Sequence, residues 1–196
     1  MQDYIDQNYW ALENNVILID EFLQNAKEVD VDVLRDSKGN TMIAGIMEHI
    51  EEAGIHSGDS ACSIPPFSLN DKVISDIKKF SISLATELKT IGLMNIQYAI
   101  KDDEIFILEA NPRASRTIPF LAKAIGIPFI KIAAELIVGK TLSKEYQELD
   151  NSSLPYFAIK EAVFPFNKFP NTDVILGPEM KSCLLYTSPS PRDLST

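Results

Sequence analysis

Cysteine is scarce: Cys62 and Cys183 are the only two in 196 residues. That is too few for a disulfide framework and fits a reducing compartment. Histidine is just as scarce, with His49 and His56 alone. His49, His56 and Cys62 could suggest zinc, but their spacing matches no common site and there is no thiolate pair. No apolar run approaches the ~18 residues of a membrane span. Basic residues are in deficit, 18 Lys and Arg against 28 Asp and Glu, for a net charge of −10. This argues against a nucleic-acid surface and leaves room for a local basic phosphate site. The start, Met1-Gln2-Asp3-Tyr4, is polar and acidic, unlike a signal or transit peptide. The expected location is therefore cytoplasmic, with neither membrane nor nucleic acid as a partner. There is no internal repeat. What the chain has is 45% hydrophobic content, enough for a core as one domain or part of one.

The most informative stretch is Phe106-Ile107-Leu108-Glu109-Ala110-Asn111-Pro112-Arg113-Ala114-Ser115-Arg116. Strand alternation puts Ile105, Ile107, Glu109 and Asn111 on one face and Phe106, Leu108 and Ala110 on the other. Pro112 has no N–H and ends the ladder. Arg113 and Arg116 follow. Oxygen ligands beside fixed cations are what a magnesium polyphosphate needs. The preceding Asn95-Ile96-Gln97-Tyr98-Ala99-Ile100 also alternates, and Lys101-Asp102-Asp103-Glu104 separates the two as a hairpin turn. A three-residue loop sets Gln97 opposite Glu109. A two-residue loop sets it opposite Leu108. The three-residue loop is the expectation, because it gathers Gln97, Glu109 and Asn111. The alternative is an amphipathic hairpin with a wet face.

Elsewhere the pattern predicts a polar helix over Met1 to Asn14, a strand over Val16 to Asp20, and a helical turn over Glu21 to Ala26. Glu28-Val29-Asp30-Val31-Asp32-Val33 alternates strictly, with acids on one face. Asp36 to Asn40 is a turn before a strand from Thr41 to Met47. Ser68 is a candidate N-cap for a core helix from Leu69 to Ile91, closed by Gly92. Helices from Pro119 to Ile125 and Phe129 to Val138 end at Gly126 and Gly139. Gly139-Lys140-Thr141 imitates the end of a P-loop, but the first glycine would fall at Ala134 with no strand before it. Tyr156 to Phe164 reads as a strand.

Three segments carry a family resemblance: Asn95-Ile96-Gln97, Glu109 to Thr117, and Met47-Glu48-His49-Ile50-Glu51-Glu52-Ala53-Gly54-Ile55-His56-Ser57-Gly58-Asp59-Ser60. Together they resemble the large chain of carbamoyl-phosphate synthase, which has two ATP-grasp halves. The Met47 to Ala53 run is similar to the second half, which phosphorylates carbamate. The similarity extends from about Val16 to Ser182 and includes Lys160 to Phe169 and Leu176 to Ser182.

The resemblance implies an α+β ATP-grasp fold, an antiparallel sheet with packed helices. Residues 1–182 would form a partial domain, lacking the glycine-rich loop that lies upstream in relatives. It implies ATP as cosubstrate and Mg2+ or Mn2+ held by Gln97, Glu109 and Asn111. Nucleotide contacts would come from Glu21, Leu23, Glu28, Gly54, Ile55, His56, Ser57, Gln97 and Glu109, with Arg113 and Arg116 as catalytic residues. The implied enzyme is a ligase whose partners are carbamate, the rest of the large chain and a glutaminase small chain, feeding pyrimidine and arginine synthesis. Alternatives are an inactive truncated piece with residual nucleotide or metal binding, and another ATP-grasp ligase. Residues 183–196 depart from the family, resemble a translated sequencing-adapter read-through, and are expected to be disordered.

Overall fold

In a computed structural model the described residues are 20–149, 154–168 and 173–186. The helix expected over Met1 to Asn14 and nearly all of the strand expected from Val16 lie outside them. Glu21 to Ala26 holds a turn at Gln24 and Asn25 in place of the expected helical turn.

The centre is β1 (Lys27–Arg35), flanked by β2 (Thr41–Glu52) and β4 (Gly92–Lys101). With β3 (Cys62–Ile64), β5 (Glu104–Asn111) and β6 (Ala158–Val163), the order is β5-β4-β1-β2-β3-β6, every neighbour antiparallel. β7 (Leu184–Tyr186) pairs with β6. Of the tail expected to be disordered, Leu184 to Tyr186 make this backbone pairing along the open edge of β6, and residues 187–196 lie outside the described residues.

Alternation in β1 builds two different faces. Val29, Val31 and Val33 are buried with Ile46, Met94, Ile96 and Tyr98 beneath helix α1 (Asp71–Glu87). Each buried valine side chain contributes about 1.5 kcal/mol or more of apolar transfer free energy. The opposite face carries Glu28, Asp30 and Asp32, all buried. The acidic row is thus not a solvated strand face. Leu34 continues that face into a second core with Leu93, Leu121, Phe129 and Leu136, under helices α2 (Ile118–Ile125) and α3 (Phe129–Ile137). These helices cover one end of the face and leave the Glu28 end open. Among the described residues, no helix is long and apolar enough to cross a membrane.

Two boundaries of α1 differ from expectation. Its N-cap is Asn70, whose Oδ1 accepts from Val73 N at 2.9 Å. Ser68 is engaged elsewhere: its N–H and that of Phe67 donate to Glu48 Oε2 at 2.9 and 2.8 Å, and its hydroxyl donates to Glu48 Oε1. The C-terminus closes at Lys89, not Gly92. Thr90 N donates to Ala85 O and Lys89 N to Thr86 O, both at 3.1 Å, with Lys89 left-handed at φ 51°. Gly92 opens β4 instead. α2 and α3 end at left-handed Gly126 and Gly139, as expected.

Candidate functional site

The hairpin that carries the site differs from expectation in its turn and agrees in its result. Lys101 pairs with Glu104, so the loop has two residues, Asp102 and Asp103, with φ 52° and 64°. Positive φ at both central positions is the geometry that matches strand twist in a two-residue hairpin. That register would set Gln97 opposite Leu108. A β-bulge prevents it: Tyr98 pairs with Ile107 and the next pair is Gln97 with Glu109, leaving Leu108 as the extra residue. Asn95 then pairs with Asn111.

The bulge also corrects the expected faces. Ile105 lies against the α1-side core and so does Ala110. Ile107 shares a face with its partner Tyr98, and Glu109 and Asn111 share the opposite face with Gln97 and Asn95.

That second face looks onto a cavity of about 340 Å³. Of the residues expected at the site, Glu28, Gly54, Ile55, His56, Ser57, Gln97, Glu109, Arg113 and Arg116 line it. Asn111 stands just outside the lining and donates from Nδ2 to Glu109 Oε1 at 2.7 Å. Glu21 is exposed and Leu23 half-buried, and neither reaches the cavity wall. Their segment passes beside the nucleotide-loop candidate, where a Cβ on Gly54 would come within 2.9 Å of the Phe22 ring.

The loop from Gly54 to Ser60 is fastened from several sides. Gly58 N donates to His56 Nδ1 at 3.0 Å, so His56 braces its own turn. His56 N donates to Gly177 O at 2.8 Å. Buried Asp59 accepts from Lys181 N at 2.8 Å and Ser182 N at 2.9 Å. Burial alone would raise the Asp59 carboxyl, but the Ser182 side chain, the two backbone N–H groups and nearby His56 together hold it below its ordinary value. Gln97 Nε2 donates to Ser57 Oγ at 3.0 Å, and Lys160 Nζ to Ser57 O at 3.0 Å.

The floor is acidic. His49 Nε2 lies 3.0 Å from Asp30 Oδ2, and its Nδ1 lies 3.8 Å from Glu28 Oε2. Glu28 Oε2 and Asp30 Oδ1 are buried without a hydrogen-bond partner. Burial pushes the Glu28 carboxyl up, opposed by His49. Burial also pushes the Cys62 thiol up to about 12, which makes it inert as a nucleophile.

Sequence reasoning missed Asn95, Ser115, Thr117 and Lys160, all in the wall. Lys160 had a usable signal, since a lysine inside an alternating apolar strand must find a partner when buried. Asp30 was visible as part of the acidic row, without a role.

Among the described residues no three His, Cys, Asp or Glu side chains cluster in a way that could hold a metal. The hairpin offers a different donor set, one carboxylate and two amides. Gln97 Nε2 is engaged with Ser57 and Asn111 Nδ2 with Glu109, so among the described residues Gln97 Oε1 and Asn111 Oδ1 are the oxygens left to offer a cation. Glu109 keeps Oε2. An all-oxygen set fits a hard divalent cation such as Mg2+ or Mn2+.

The sequence itself matches, over residues 3–145, the family described as "Carbamoyl-phosphate synthase L chain, ATP binding domain". The chain belongs to the carbamoyl-phosphate synthase large-chain family. It is 58% identical to the carbamoyl phosphate synthase large chain of Synechocystis sp. over 166 residues, covering 85% of this chain and 15% of that one. To the large chain of Archaeoglobus fulgidus it is 53% identical over 182 residues, covering 93% of this chain and 17% of that one. It therefore spans only 15% and 17% of these two relatives' lengths. Among solved structures, the biotin carboxylase–β-γ-ATP complex from Campylobacter jejuni superposes with a TM-score of 0.67 at 17% identity, covering 83% of this chain and 35% of that one. The biotin carboxylase domain of a single-chain bacterial carboxylase gives 0.63 at 17% identity, covering 74% and 34%. At such identity the likeness speaks for the fold, which is a partial α+β ATP-grasp domain. Within the carbamoyl-phosphate synthase family this segment is of the ATP-binding type.

Proposed function

We propose that this segment is the half of carbamoyl-phosphate synthase that phosphorylates carbamate to carbamoyl phosphate with ATP. The whole enzyme would use bicarbonate, ammonia from glutamine and two ATP. It would work in the cytoplasm with the rest of the large chain and a glutaminase small chain, feeding pyrimidine and arginine synthesis. The observation that carries this reading is Gln97 directly across from Glu109, with Asn111 adjacent and Arg113 and Arg116 on the same cavity. The Met47 to Ala53 run supports the choice of half.

Gln97, Glu109 and Asn111 would hold Mg2+ or Mn2+, which when bound supplies positive charge to the phosphate oxygens. Of the three, Glu109 would bind the cation most strongly, since it alone carries negative charge. Glu28 presents a buried oxygen without a partner, suited to accept from ribose hydroxyls. Gly54, Ile55, His56 and Ser57 form the loop against the nucleotide. Arg113 and Arg116 meet the transferring phosphoryl group and the carbamate oxygens, where a planar guanidinium can donate in pairs. The chemistry needs no side-chain nucleophile, only positioning and charge neutralisation.

The test uses the complete enzyme and its two partial reactions. Glu109→Gln keeps shape and removes charge. It should slow ATP synthesis from ADP and carbamoyl phosphate by ~100-fold or more, while bicarbonate-dependent ATP hydrolysis continues. The reverse pattern would assign the segment to the other half. The 196-residue chain alone is expected to be inactive in turnover. Magnesium-dependent ATP affinity of that chain would show a residual site, and its absence an inert piece.

A further inference from the structure

Asp32 lies behind the site and lines none of the cavity. It is fully buried in the middle of β1. Its Oδ2 accepts from Ser115 Oγ at 2.8 Å and Thr117 Oγ1 at 3.4 Å, and its Oδ1 accepts from Asn95 Nδ2 at 3.2 Å. Ser115 Oγ in turn accepts from Ile118 N at 3.0 Å, tying the same hydroxyl to the start of α2. Ser115 and Thr117 bracket Arg116, and Arg113 lies two residues before Ser115.

The arginines have little else to aim them. Arg113 Nη1 donates to the neighbouring Ala114 O at 3.2 Å, and Arg116 Nη1 meets the Met180 sulfur. Neither is in an ion pair among the described residues. Their direction is set by the backbone of the turn, and that backbone is pinned from below by one carboxylate. A buried carboxylate is costly unless it is hydrogen-bonded, and the hydroxyl and amide donors around Asp32 make this a specific anchor.

We propose that Asp32 is a positioning residue that acts through Ser115 and Thr117, which flank Arg116, to hold Arg116 at the reacting phosphoryl group. This rests on the reading of those arginines as a phosphoryl clamp. An anchor of this kind affects the rate of the step more than nucleotide binding, because the arginines act as charge redistributes.

The experiment is a double-mutant cycle in the complete large chain with its partner, reading kcat and KM for ADP in ATP synthesis from ADP and carbamoyl phosphate. Asp32→Asn and Ser115→Ala should each lower kcat about 10-fold, the scale of one charge-assisted hydrogen bond, with KM for ADP changed less than about twofold. In an Arg116→Ala background, Asp32→Asn should cost less than about a further twofold. An equal 10-fold loss in both backgrounds would overturn the proposal, as would a rise in KM with kcat unchanged. Should Asp32→Asn fail to fold, the Ser115→Ala cycle with Arg116→Ala decides in the same way. Glu109→Gln separates the underlying reading. If it spares this reaction, the assignment of the half fails, and the Asp32–Arg116 coupling is read in whichever partial reaction Arg116→Ala slows. An Arg116→Ala enzyme as fast as wild type in both reactions overturns the clamp and the anchor together.

Discussion

Gln97 faces Glu109 across the β4–β5 ladder because Leu108 is bulged out of it. A regular ladder running back from the Asp102-Asp103 turn would miss by one residue and put Leu108 across from Gln97. The extra residue converts a turn that suits the strand twist into a register that suits the site. It also puts Ile107 and Glu109 on opposite faces although they are two apart in sequence.

Deleting Leu108 should therefore be tolerated. Without it, Tyr98 still pairs with Ile107 and Gln97 with Glu109, now in an unbroken two-residue hairpin. On the proposed function, ATP synthesis from ADP and carbamoyl phosphate by the complete enzyme should depend on Mg2+, with the half-saturating Mg2+ concentration of the deletion mutant shifted less than about threefold from wild type. Gln97→Leu, which removes a proposed metal ligand, should raise that concentration at least about tenfold, the loss of one good polar contact. A deletion mutant needing as much Mg2+ as Gln97→Leu would show that the bulge itself shapes the ligand geometry.

What the sequence could and could not convey follows from the same hairpin. Alternation and Pro112 located both strands, and the residue types named the cluster of Gln97, Glu109 and Asn111. Sequence could not show the bulge, because nothing local distinguishes a three-residue loop from a two-residue loop plus one extra residue upstream. Burial of Asp30 and Asp32 was hidden for a different reason. Alternation places acids on one face, but only the tertiary arrangement covers that face with Ser115, Thr117 and His49. Ser68 misled as an N-cap because Glu48, twenty residues away, takes both its N–H and its hydroxyl.

Asp59 should matter to nucleotide affinity without touching the cavity. Its carboxylate takes two backbone N–H groups from the segment Lys181-Ser182, which straps the Gly54 to Ser60 loop. Asp59→Ala removes both acceptors and leaves two N–H groups to find others. The expected outcome is a rise of about tenfold in KM for ADP, matching one to two lost charged hydrogen bonds, with kcat within about threefold. An unchanged KM would mean that the strap does not hold the loop in its binding shape.

Lys89 occupies the left-handed position that closes α1, with φ 51°. A residue with a Cβ pays a steric cost there that glycine does not. Its N–H bond to Thr86 O comes from the backbone and survives substitution. Lys89→Gly should stabilise the domain by about 1 kcal/mol, read as a raised midpoint in urea unfolding with an unchanged slope. A lowered midpoint would show that the Lys89 side chain makes a compensating contact.

Asp32 links stability and pH. Burial pushes its carboxyl up to about 7 from an ordinary 3.8, although Ser115, Asn95 and Thr117 donate to it. Between these two values the folded chain holds a proton that the unfolded chain has released. Stability from this group is therefore fully present below pH 3.8, declines as pH rises toward 7, and levels off above it. Asp32→Asn removes the titration and the charge while keeping size and one acceptor, so the charge-assisted bonds from Ser115 and Thr117 are lost. The mutant should melt higher than wild type at pH 8, and the difference should shrink when both are measured at pH 5. A difference independent of pH would mean that Asp32 is ionised in the folded state throughout. If Asp32→Asn also slows ATP synthesis as the anchor role requires, one substitution raises stability and lowers rate. That combination is expected of a buried charge kept for positioning and not for folding.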